Sequence, residues 1–156
     1  MVLHGARPTK REEGLTMQLR LITLAGVKFD EDIYEVIIPT TSGDIGVFPD
    51  HEPLVTVAKT GVLQVRRQKT DPNDRMELLA IGGGIVEIDG KSVRILVDEA
   101  DYGDDIIEAE SQKALELALK MRDEAKDEVE LEKAHQLVDR HMVRLKVADL
   151  RRRHHR

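Results

Sequence analysis

The sequence contains no cysteine and no tryptophan, and only two tyrosines and two phenylalanines among its 156 residues. The first absence excludes disulfides, thiolate metal sites and cysteine nucleophiles. With so few aromatics, Ile, Val and Leu must supply most of the buried area. The scarcity also argues against a nucleic-acid surface, which stacks bases on aromatic rings, and a formal net charge of -6 argues the same way. No apolar run approaches the roughly 20 residues that a membrane span requires. The opening MVLHGARPTKREEGLT lacks the apolar centre of a secretory signal. These readings predict a soluble chain that can sit beside a membrane. Regular alternation begins only at Met17, so residues 1–16 read as a flexible polar extension.

From Met17 to about Ala100 the pattern has the period of strands. In MQLRLITL, Met17, Leu19 and Leu21 alternate with Gln18 and Arg20, as in a sheet with one dry and one wet face. YEVIIP, the run Leu54 to Val57, VLQVRRQ, MELLAI, IVEI and SVRILV follow, each short and bounded by Gly, Pro, Asp or Asn. Asp89-Gly90 predicts a tight hairpin turn, and TDPND at 70–74 a longer polar one. Many short antiparallel strands point to a β-sandwich or flattened barrel over residues 17–101.

After Tyr102-Gly103 the period changes to that of helices. Asp104 and Asp105 can accept hydrogen bonds from the free N–H groups of a helix start. Ile107, Ala114, Ala118, Met121 and Ala125, broadened by Leu115 and Leu119, form one stripe at helical spacing; Leu131, Ala134, Val138, Met142, Leu145 and Ala148 form a second. The polar DEAKDEVE between them predicts an antiparallel helical hairpin over 104–151, followed by a basic tail at 152–156. Asp104 to Glu132 holds eleven acids against four bases, whereas Lys133 to Arg156 holds eight bases against two acids. This sorting predicts helices that complement each other, and a basic face able to meet an acidic partner.

The sequence carries no set of residues for a reaction. IGGGIVEI at 81–88 lacks the Gly-Lys-Ser/Thr end of a phosphate loop and runs into a strand, so Gly82, Gly83 and Gly84 read as a bulge or a close backbone approach. His135 and His141 fall on different sides of a helix, and no histidine pair has zinc spacing completed by a carboxylate. Ser42, Ser92 and Ser111 have no nucleophile-elbow context. The dense stretch GDIGVFPDHEPLV at 43–55 holds His51 between Asp50 and Glu52, but neighbours in a strand point to opposite faces. The expectation is a non-catalytic protein with no metal and no cofactor.

The stretch SGDIGVFPDHEPLVTVAKTGVLQV resembles the Gly-Glu-Ile-Gly-Val-Leu-Pro-x-His-x-Pro-Leu signature of the epsilon subunit of F-type ATP synthases, called delta in mitochondria. AIGGGIVEIDGKSVRILVDEA and LKVADL continue the resemblance, which covers about residues 17–151. It implies a β + α chain: an N-terminal antiparallel β-sandwich of about ten strands, then a C-terminal two-helix antiparallel hairpin.

By the same resemblance the chain is a non-catalytic rotor subunit that holds gamma and rests on the c-ring of the membrane sector. Asp44 takes the place that faces the c-ring loops, and His51 falls on the gamma side. Arg140, Arg144, Arg151, Arg152 and Arg153 are candidates to meet an acidic segment of the alpha/beta catalytic head when the hairpin extends, blocking ATP hydrolysis. The implied location is the cytoplasmic face of the bacterial plasma membrane, as a peripheral subunit. Some members bind ATP through an Ile/Leu-Asp-x-x-Arg-Ala motif, but Ile107-Glu108-Ala109-Glu110-Ser111-Gln112 lacks its Arg, which predicts weak or absent ATP binding. A competing reading is a free-standing β-sandwich ligand-binding module with a dimerising hairpin.

Overall fold

The computed structural model describes residues 16–154. The predicted extension at 1–16 therefore lies outside the described residues except for Thr16, as do the last two residues of the predicted tail. Ten strands come first: β1 (Met17–Thr23), β2 (Gly26–Ile33), β3 (Glu35–Thr40), β4 (Gly43–Val47), β5 (Leu54–Ala58), β6 (Gly61–Arg66), β7 (Glu77–Ile81), β8 (Gly84–Ile88), β9 (Ser92–Val97) and β10 (Ala100–Tyr102). Two helices follow, α1 (Glu108–Asp123) and α2 (Glu128–His154).

The strands run β10-β7-β6-β3-β5-β8-β9-β1-β2, with β4 attached to β3, and nearly all pairs are antiparallel; β1 with β9 is parallel. Strand β3 joins the two layers. Its first half pairs with β6 through Glu35, Val36 and Ile37, and its end pairs with β5 through Thr40 alone. The sheet folds over at that point and encloses a core that includes Leu19, Leu21, Ile33, Val36, Ile38, Leu63, Val65, Leu79, Ile81, Val86 and Ile95. The alternation of β1 produces this directly, since Met17, Leu19 and Leu21 are buried and Gln18 is exposed. Tyr102 closes the far side, where its hydroxyl donates to the Lys28 carbonyl at 2.7 Å.

Three strands were not legible from periodicity: β2, β4 and β10. The acidic edge of β2, the two glycines of β4 and the three-residue length of β10 each hide a period of two. The glycine run behaves as a close approach. A Cβ on Gly84 would stand 1.8 Å from the Leu96 carbonyl oxygen of the neighbouring strand.

The hairpin departs from expectation at its start. Asp104 and Asp105 belong to a single 3-10 turn, Gly103–Asp105, and the helix begins only at Glu108, with no side-chain cap. Ile106 is the reason: it is buried beside Val147 and Ala148, which holds residues 106 and 107 extended. Gly103 sits in the same crowded corner, where a Cβ would meet the Leu78 carbonyl at 2.9 Å. At the other end α2 continues through Arg152, Arg153 and His154.

The two apolar stripes are narrower than predicted. Ser111, Ala118, Ala134 and Val138 are buried, while Ile107, Met121, Leu131 and Met142 are exposed. Either His141 or Met142 would keep the 3–4 spacing of Ala134, Val138, Leu145 and Ala148, but His141 is half-buried and Met142 is exposed. Small residues let the helices approach along one thin seam, so flanking positions stay open to solvent. Beyond the seam, α2 packs on the sandwich, with Val147 and Ala148 against Val62, Leu78 and Ala80 of β6 and β7.

Candidate interaction surfaces

The motif at 43–55 forms β4, an irregular corner and the start of β5. Gly43 turns the chain with a φ of +112°, and Asp44 follows it on β4, exposed and opposite Pro39 of β3. At the corner Asp50 adopts a φ of +67°, unusual for a residue with a side chain. Its N–H donates to the Gly90 carbonyl at 2.8 Å, which ties the corner to the β8–β9 turn. Phe48 is anchored edge-on to Tyr34, with ring centroids 5.5 Å apart. His51 is half-buried, and its Nδ1 lies 2.7 Å from the Glu52 carbonyl. That oxygen can only accept, so Nδ1 carries the proton.

Asp44 and His51 thus stand at opposite ends of β5. Asp44 lies beside the Thr40–Ala58 contact and His51 beside Leu54. Four strand steps separate those ends, roughly 13 Å at 3.3 Å per residue.

Sequence reasoning missed a surface between and beyond them. Val57 pairs with Ile85, Ile85 with Leu96, Leu96 with Ile22, and Ile22 with Val27. Directly paired residues share a face, so these five side chains cross β5, β8, β9, β1 and β2 in one apolar row. Val57, Ile85 and Val27 are each at least half exposed, at 52%, 50% and 55%. Exposed Val55, two residues from Val57 on the same face of β5, continues the row toward His51. This row covers the outer side of one layer, while the hairpin covers the outer side of the other. Alternation hid it, because Gln18, Arg20, Glu87 and Arg94 mark the same outer face as wet; the row exists only where Ile22, Ile85 and Leu96 align across the strands.

The five arginines are all engaged within the chain. Arg140 pairs with Glu99, Arg144 with Asp101 at 2.8 Å, and Arg151 with Asp104 at 2.8 Å while also donating to the Gly103 carbonyl. Arg152 meets Glu108 and Asp149, and Arg153 meets Asp149. The expected complement of an acidic against a basic helix is therefore small. Among the described residues Arg152–Glu108 is the ion pair that joins the two helices, because their shared seam is apolar and the acids of α1 point to solvent.

Elsewhere the polar network is structural. Arg66 is held by Glu35 at 2.8 Å and reaches Asp71 and Asn73, which fixes the β6–β7 loop. Among the described residues no group of three or more His, Asp or Glu side chains gathers to hold a metal. Ser111, at the place of the ATP motif's Arg, is 3% exposed and sits in the helical seam. No described helix is long and apolar enough to cross a membrane.

The comparisons agree with this architecture. A family model for the beta-sandwich domain of the ATP synthase delta/epsilon chain matches residues 16–103. The ATP synthase epsilon chain of Rippkaea orientalis is 35% identical over 137 residues, covering 86% of this chain and 97% of that one. The chloroplastic ATP synthase epsilon chain of Cucumis sativus is 38% identical over 104 residues, covering 67% of this chain and 74% of that one. A chain in the cryo-EM structure of the Euglena gracilis mitochondrial ATP synthase, OSCP/F1/c-ring, superposes with a TM-score of 0.72. It covers 86% of this chain and 81% of that one at 23% identity, a likeness of fold alone. Sandwich, hairpin and motif, together with the matching family model and relatives, mean that the chain belongs to the delta/epsilon family of ATP synthases, as a non-catalytic subunit.

Proposed function

We propose that this chain is a rotor subunit at the foot of the central stalk, joining gamma to the c-ring. The observation that carries this reading is the open apolar row from Val57 to Val27, on the layer that the hairpin leaves bare. A patch of this kind on a soluble chain marks a protein contact. Its flanks of exposed β5 residues lead to His51, which supports gamma as the occupant. Asp44, on a polar turn one strand length away, is then free to face the c-ring loops. Two partners are held in different directions by a rigid sheet, and no chemistry is required of it.

The hairpin adds control. Docked, it keeps Arg140, Arg144, Arg151, Arg152 and Arg153 on acids of its own chain; extended along gamma, it presents them to the alpha/beta head and resists rotation in the hydrolysis direction. The cytoplasmic face of the bacterial plasma membrane is the corresponding location.

Tagged chain isolated from membranes should bring down gamma and the c-ring. Emergence alone would favour a free-standing module instead. Removing residues 104–156 should leave assembly intact and raise ATP hydrolysis, and an unchanged rate would remove the inhibitory role while sparing the stalk role.

A further inference from the structure

The arginines of α2 meet the sandwich in a register that both partners share. Arg140, Arg144 and Arg151 stand four and seven residues apart on one face of the helix, beside the apolar contacts of Val143, Val147 and Leu150. Their partners follow in the same order along the other chain segment: Glu99 in the β9–β10 connection, Asp101 in β10 and Asp104 in the turn after it. The spacings agree. Four helical residues rise about 6 Å, and two extended residues about 6.6 Å. Sliding α2 by one turn would set Arg144 against Glu99 and leave Asp101 facing Ala148. Only one docking position pairs every rung.

We propose that this acid–arginine ladder is a latch that fixes where the hairpin docks and competes with the catalytic head for the same three arginines. Its docking half stands on the geometry; its regulatory half rests on the inhibitory reading given above.

The rungs do different work. Arg144–Asp101 is the most sheltered, with side chains 26% and 29% exposed. Arg151–Asp104 is looser at Asp104, which is 81% exposed, but Arg151 also holds the Gly103 carbonyl. At Glu99, desolvation outweighs the pull of Arg140 and raises the carboxyl above its usual range. That rung selects register more than it adds hold. Half-exposed pairs are weakened by salt, so the latch loosens as ionic strength rises, and it opens toward any surface that presents a denser row of acids.

The test uses the full chain, with amide exchange of α1 and α2 read at low and high salt and the amides of β8 and β9 as an internal control for folding. Wild-type helix amides should exchange several-fold faster at high salt while the strand amides stay unchanged. Combining Asp101→Asn with Asp104→Asn should speed helix exchange roughly 3- to 25-fold at low salt and abolish most of the salt response. Glu99→Gln should leave the helices as protected as in wild type. Helix protection unchanged in the double variant, or lost together with that of the strands, overturns the latch. Reconstituted into the ATP synthase, the double variant should lower ATP hydrolysis, because more hairpins are released. If the helices are freed and hydrolysis does not fall, the ladder stands as the docking device, competition with the head is overturned, and the inhibitory reading fails with it.

Discussion

Truncating Val147 to alanine separates hairpin docking from hairpin folding. Val147 is fully buried, among Val62, Leu78, Ala80 and Ile106, and would be exposed once α2 left the sandwich. Losing two buried methyl groups removes about 1.5 kcal/mol at roughly 0.8 kcal/mol per group. The cavity left behind brings the cost to about 2–3 kcal/mol. The helix itself is not weakened, because alanine is the better helix former by about 0.6 kcal/mol. The docked-to-released ratio should therefore fall about 30- to 140-fold. Amide exchange on the isolated chain measures this directly. Helix amides should accelerate by that factor while those of β1, β8 and β9 keep their protection, since Leu19, Val86 and Ile95 belong to the separate sandwich core. Equal acceleration of helices and strands would mean that they unfold as one unit. No acceleration would mean that burial at Val147 is not what holds the hairpin down. Either outcome refutes the reasoning.

Other expectations follow from single contacts. Gly84→Ala should destabilise the sandwich by more than about 3 kcal/mol, because its Cβ cannot coexist with the Leu96 carbonyl; Gly46→Ala, whose nearest neighbours lie 3.9 Å away, is the control, compared by urea unfolding. Ile85→Lys with Val57→Lys should change stability by no more than about 1 kcal/mol per site yet weaken capture of gamma at least about ten-fold in pull-down. Burial, with Arg140 and Arg144 beside it, holds the His141 imidazole below its usual 6.5, and its Nδ1 is buried without a partner. The unfolded chain takes that proton first, so the contribution of His141 is complete above about pH 6.5 and is lost as pH falls below it. Comparing melting temperatures at pH 7.5 and 5.5, wild type should lose more than His141→Leu. Calorimetry with ATP should find no binding in the submillimolar range, since Ser111 supplies no cation where the binding motif has one.

Much of the architecture is written in local patterns. The period of two in β1 and the β-branched runs from β3 to β9 mark a sandwich; the change of period after Gly103 marks two helices. The motif at 43–55 was legible as a rigid corner because its glycines and prolines restrict the backbone whatever surrounds them. The helix start was not, because Asp104 and Asp105 are good caps in isolation and lose to the burial of Ile106. Met142 was preferred to His141 because hydrophobicity favours Met and the spacing admits both, whereas packing leaves His141 half-buried and Met142 exposed.

The sequence alone determined the strand-rich and helical halves, the absence of catalytic and thiolate chemistry, and the motif that carries the family. These follow from residue type and short-range spacing, which act before the chain folds. Only the tertiary structure decided the apolar row, since it exists because five strands align in one register. It alone decided the partners of the arginines too. Sorted charge along the chain predicts helix against helix, but packing of Val147 and Ala148 on β6 and β7 carries Arg140, Arg144 and Arg151 to Glu99, Asp101 and Asp104 instead. Apolar burial is worth more than exposed ion pairs, so it chooses the surface, and the charges then settle the position on it.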